Sequence, residues 1–215
     1  MNFELMNAKR VAVGLMFPPH KMERDQLTDL YSAVNKRYEY AAFTMLPDGA
    51  RLAHGDNELF IQNTRLQMNE TITTHFEFAK QKAADLFQMI SSKLDISRFL
   101  AFRTKVIAFL PFEEPAGAAQ FLEQHLLKVD DSQFDKLGPG RRGTGIRISM
   151  HKDGIYEIRL EPFLANLSQM YIEVEIQFPE VFTSIDEIGG KMSRAYDFLF
   201  ENVKDFIASF GAQSV

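Results

Sequence analysis

Two stretches of this chain, residues 1–97 and 98–215, carry the same order of signals: apolar strand, helix, hairpin, further strand, long helix. Residues 10–17 and 103–110 open the stretches as apolar strands, and each runs into a proline, Pro18 and Pro111. Helical spacing follows over residues 22–38 and 116–128. Each stretch then has an Asp-Gly turn, Asp48-Gly49 and Asp153-Gly154. Each closes on a helix that opens with a capping-box pattern, Thr74-x-x-Glu77 and Ser184-x-x-Glu187. Self-similarity on this scale constrains the architecture before any composition is weighed. Because a hairpin stands between the two helices of each unit, strands and helices do not alternate one for one. The expected fold is α+β, made of internally duplicated strand-helix-hairpin-strand-helix units, with a mainly antiparallel sheet and helices on one face. Residues 96–98 lack the Pro/Gly/Ser composition of a flexible linker, so the two halves are expected to form one compact unit.

Within that frame, Val11, Val13, Leu15 and Phe17 alternate with Ala12, Gly14 and Met16, so both faces of the first strand are apolar. Such a pattern predicts a central strand covered on both sides. Residues 58–71 read as one extended segment. Residues 169–178 alternate cleanly, with Ile172, Val174 and Ile176 inward and Tyr171, Glu173 and Glu175 outward. Residues 183–210 read as one helix, and Phe198 and Phe200 lie outside its main apolar stripe. That surplus predicts self-association, most simply as a dimer.

Composition narrows the function classes. The chain has no Cys, which removes thiol nucleophiles, thiolate metal sites and disulfides together; a reducing, cytoplasmic setting is expected. A net charge of −5 makes long duplex DNA an unlikely partner. The apolar runs are far shorter than the ~20 residues of a membrane span, so no membrane partner is expected. The five His are scattered, no Gly-x-Ser-x-Gly elbow occurs, and no Gly-x-Gly-x-x-Gly follows a strand. No cofactor is implied.

Three groups of residues can carry contacts. Residues 138–145 place Gly140 and Gly143 around Arg141 and Arg142, exposing backbone N–H groups beside two guanidinium forks, a pattern suited to an anion or a partner. Arg103 and Lys105 sit in the long apolar strand, where they either pair with Glu173 or Glu175 or form a polar handle in a pocket between the halves. Glu157, Glu173 and Glu175, with His151 and Asp153 nearby, could hold a divalent cation or divide into acid and base. The same glutamates with Arg147 and Arg159 also make a plain cross-strand charge ladder. The ladder explains every carboxylate, so the chain reads as a non-catalytic binding or interaction module. It would contact its ligand through the 138–145 loop or the groove between the halves. A metal-dependent enzyme and a phosphate- or nucleic-acid-binding protein are the alternatives.

Short motifs spread over most of the chain carry a resemblance: Leu15-Met16-Phe17-Pro18-Pro19, Leu59-Phe60-Ile61-Gln62, residues 102–111 ending at Pro111, and Ile172-Glu173-Val174-Glu175-Ile176 before a Phe-rich terminal helix. In these the chain resembles a sporadically distributed bacterial family of proteins with no established activity. Glu replaces that family's usual Asp in the late strand. The resemblance implies a fold and no chemistry.

Overall fold

In a computed structural model, residues 1–138, 140 and 142–211 are described. The strands are β1 (Asn7–Met16), β2 (Ala42–Leu46), β3 (Gly49–His54), β4 (Asn57–Gln62), β5 (Arg65–Thr71), β6 (Ala101–Pro111), β7 (Ile146–His151), β8 (Ile155–Pro162) and β9 (Gln169–Phe178). Among the described residues they form one nine-stranded sheet in the order β2-β3-β4-β5-β1-β6-β9-β8-β7. Every neighbouring pair is antiparallel. The helices are α1 (Arg24–Asn35), α2 (Phe76–Lys93), α3 (Gly117–Gln120), the short α4 (Asp131–Phe134), α5 (Glu187–Phe198) and α6 (Lys204–Gly211). The α+β class is as expected.

The seam of the molecule is the β1–β6 pair, where Val11 lies opposite Val106 and joins residues 1–97 to 98–215 in a single sheet. Outward from this seam the strands run β5, β4, β3 on one side and β9, β8, β7 on the other. β2 stands beyond β3 without a counterpart. This order separates the two Asp-Gly turns. Asp48-Gly49 leads into β3 from β2, whereas Asp153-Gly154 joins β7 to β8, a place held in the first half by Gly55-Asp56 between β3 and β4. Equating the two turns is therefore corrected by one strand. The cause is a hairpin inside residues 58–71, where Asn63-Thr64 turns the chain and splits the segment into β4 and β5. Backbone bonds consolidate that turn: Phe17 N–H donates to Thr64 O at 3.0 Å and Asn63 N–H to Asp48 O at 2.9 Å.

Helices cover one sheet face. Leu27, Leu30 and Val34 bury one stripe of α1, and Ala79, Ala83, Leu86, Phe87 and Ile90 one stripe of α2. α2 lies on β1 and β5, α5 on β6 and β9. The two meet across the seam, where Phe76 stacks on Tyr196 with centroids 4.3 Å apart and Lys80 Nζ donates to Ser193 Oγ at 3.1 Å. Along the terminal helix the buried residues are Ile188, Met192, Ala195, Leu199, Val203 and Ile207. The last three steps are four residues long, and in a regular α-helix each would swing the stripe by ~40°. The helix instead passes through a π-helical stretch, Leu199–Val203, between α5 and α6. Its wider turn keeps the stripe on the sheet. A second π-helical stretch, Phe121–Leu127, continues α3.

Three sequence expectations shift. Both capping boxes miss: α2 starts after His75 and α5 after Asp186, neither with a side-chain cap, while α1 carries a capping box between Glu23 and Gln26, which opens with Glu in place of the usual Ser or Thr. β1 is central, yet helices cover only one of its faces; its other face, Ala12, Gly14 and Met16, is open, with Met16 50% exposed. The apolar surplus is packed within the chain at both of its positions, Phe198 against Tyr156 at 4.9 Å and Phe200 against Tyr196 at 4.5 Å. Among the described residues no helix is long and apolar enough to cross a membrane.

Candidate functional site on the open sheet face

Strand pairing writes the open face as rows of side chains. One row runs Glu58, Asn69, Ala12, Lys105, Glu175, Glu157; the next on one side runs Thr71, Arg10, Ile107, Glu173, Arg159, Arg147. At the centre Lys105 Nζ lies 3.0 Å from Glu173 and 3.2 Å from Glu175. Arg103 reaches Glu175 at 3.6 Å, Arg159 reaches Glu173 at 3.8 Å, and Arg147 pairs with Glu157. The Tyr171 hydroxyl donates to Glu173, and Gln177 Nε2 donates to Glu175 at 3.0 Å.

These contacts bury Glu173 and Glu175 to 7% exposure on a face read from sequence as solvated. The reason is local: Ala12 and Gly14 on β1 leave room for the Lys105 and Arg103 stems to lie over the sheet. Burial alone pushes the Glu173 carboxyl up, but the hydrogen bonds from Tyr171 and Lys105 and the charges of Lys105 and Arg159 outweigh it, holding the group below the usual carboxylate range. Burial first, and Glu173 second, push the Tyr171 phenol up. Both groups are moved away from neutrality, the opposite of what an acid–base pair working near pH 7 needs. His151 stands at the far end of the edge strand β7, outside this cluster. Among the described residues no group of three or more His, Asp and Glu is placed to hold a metal ion.

One row further along, Gln67, Gly14, Arg103 and Gln177 follow one another across β5, β1, β6 and β9. Gly14 has no side chain to fill its place, and a depression of about 240 Å³ opens there. Met16, Ala101 and Pro179 give it apolar walls; Arg65, Gln67, Arg103 and Gln177 supply polar groups. Arg65 donates through Nε to Gln62 at 2.6 Å. Among the described residues, no carboxylate lies at ion-pair distance from Arg65. The depression therefore sits where β1 meets β6, with Arg103 at its edge, while Lys105 belongs to the charge network beside it. Gly14, Met16, Arg65 and Gln67 were missed. The available signal was a glycine among the outward positions of an otherwise apolar central strand, which marks a close approach to backbone.

The 138–145 loop is placed elsewhere, beside β8. Arg142 donates to Leu164 O at 3.3 Å, and Gly143 has φ 154° with its would-be Cβ only 2.8 Å from Pro162. Gly140 also has a positive φ, 94°. Arg141 lies outside the described residues. The loop is thus partly held by its own chain, and Arg142 makes a backbone contact there.

The chain matches no family model and no curated protein.

Proposed function

We propose that this protein is a non-catalytic binding module whose contact surface is the open sheet face, centred on the depression over Gly14. One observation carries the reading: the helices take one face of the sheet, and on the other an ordered polar array leaves a notch at the seam, walled by apolar side chains. Concave, mostly apolar sites with a few convergent polar groups are the usual form of a binding pocket. The neighbouring carboxylates are already engaged by cations, which favours scaffolding over proton transfer or metal chemistry. Self-association through the same face would give the same exposed notch a different occupant.

The test is a native mass spectrum of protein purified from its own cell, run on the parent and on Gly14→Val. A ligand or second copy retained by the parent and lost in the variant supports the reading. Identical spectra that show bare monomer in both overturn it.

A further inference from the structure

We infer that the depression over Gly14 takes a small organic carboxylate with an apolar, preferably aromatic, body; this deepens the binding-module reading and rests on it. The charge inventory comes first. The lining contains two guanidinium groups, Arg65 and Arg103, and no Asp or Glu. Arg103 meets Glu175 only at 3.6 Å and keeps 46% of its side chain exposed. Arg65 uses Nε on Gln62, which leaves its terminal nitrogens for another acceptor.

The fork of an arginine matches a planar oxyanion through two parallel N–H···O bonds. The two arginines come from strands on either side of β1, Arg103 opposite the bare Gly14 and Arg65 opposite Met16 two residues on, and the space over the Gly14 backbone is left for that oxyanion. Because Arg103 is partly balanced by Glu175, the net field suits one negative charge better than two. The rest of the lining settles the body of the ligand. Met16, Ala101 and Pro179 are apolar, and Met is soft enough to close on a ring. A volume of about 240 Å³ is below the ~300 Å³ at which pockets for drug-sized molecules begin, so the ligand is small.

The fold tolerates the necessary controls. A Cβ built on Gly14 finds its nearest neighbour, Leu66 O, at 3.9 Å, so a side chain there fills the depression without disturbing the sheet. Gln in place of either arginine keeps a polar stem.

Benzoate, benzamide, benzylamine and phenyl phosphate share one ring and differ in charge, and amide resonances of Gly14, Arg103 and Gln177 in an NMR titration report their binding. Benzoate should shift these resonances and bind at least about tenfold more tightly than benzamide, with benzylamine silent. Gly14→Val should abolish the shifts, and Arg103→Gln and Arg65→Gln should each weaken benzoate about tenfold or more while leaving benzamide unchanged. Equal binding of benzamide or benzylamine overturns the anion assignment and leaves the depression a binding site. Tighter binding of phenyl phosphate than of benzoate overturns the carboxylate in favour of a phosphate. Silence with all four overturns the inference alone, since the broader reading stands or falls on the native spectrum of the Gly14→Val variant.

Discussion

Lys82 Nζ lies 2.8 Å from each carboxylate oxygen of Glu70, and both side chains are 7% exposed beneath α2. The rings of Tyr40 and Tyr38 stand 4.9 and 5.5 Å from the same ammonium. Burying two charges costs several kcal/mol per ion, and their mutual attraction roughly returns it. Such a pair therefore matters most when it is broken. Lys82→Met should lower stability by about 3–5 kcal/mol, because Glu70 is left charged and buried. Lys82→Met combined with Glu70→Leu should recover most of that loss. Urea unfolding of the three proteins decides the matter; a double variant no better than the single one would show that the pair is net stabilising.

Two glycines should respond in opposite ways to the same kind of change. Gly14→Val has room and gains strand propensity, so its melting temperature should stay close to the parent's. Gly49 has φ 154°, and a Cβ there would stand 1.9 Å from Ile61 O. Gly49→Ala should cost well over ~1 kcal/mol by calorimetry, since the start of β3 must move away from β4 to admit it.

Acid should weaken the fold through Glu173. Its folded value is depressed below the ordinary one of about 4.3, so its contribution is fully present above that value and is lost as pH falls through the lower folded value. Stability measured from pH 6 downward should drop in that window. Glu173→Gln should flatten the acid limb, and an unchanged limb would assign acid sensitivity to other carboxylates.

Divalent cations provide the sharpest check on the enzyme alternative. Glu173 and Glu175 already share Lys105, so Mg²⁺ or Mn²⁺ must displace an ammonium to bind. Neither ion should raise the melting temperature at millimolar concentration. Stabilisation that disappears in Glu173→Gln would restore the acidic face as a metal site.

The 138–145 loop should prove separate from the depression. Alanine at both Arg141 and Arg142 should leave benzoate binding unchanged and the melting temperature nearly so, because the Arg142 contact to Leu164 O is exposed. Calorimetry and the same titration check both statements; a lost benzoate response would join the loop to the site.

How much of this was legible in the chain follows from the range of each interaction. Alternation over residues 169–178 and the 3.6-residue stripes of α1 and α2 depend on neighbours a few positions away, so strands, helices and the α+β class could be read directly. The Lys105–Glu173 contact was legible too, since outward charges on long strands have few other places to go. The turn at Asn63-Thr64 was not, because it lacks a glycine or proline, and missing it moved the Asp-Gly equivalence by one strand. The burial of Glu173 and Glu175 could not be read either: alternation gives the side of the sheet on which a residue points, and burial depends on how long its cross-strand neighbours are. Gly14 shows the division most clearly. The sequence alone put a glycine in a central strand, whereas the pairing of β1 with β5 and β6 decided that Gln67 and Arg103 would flank it. Those pairings join Gly14 to residues about fifty and about ninety positions away, and only the closed sheet brings them into one row.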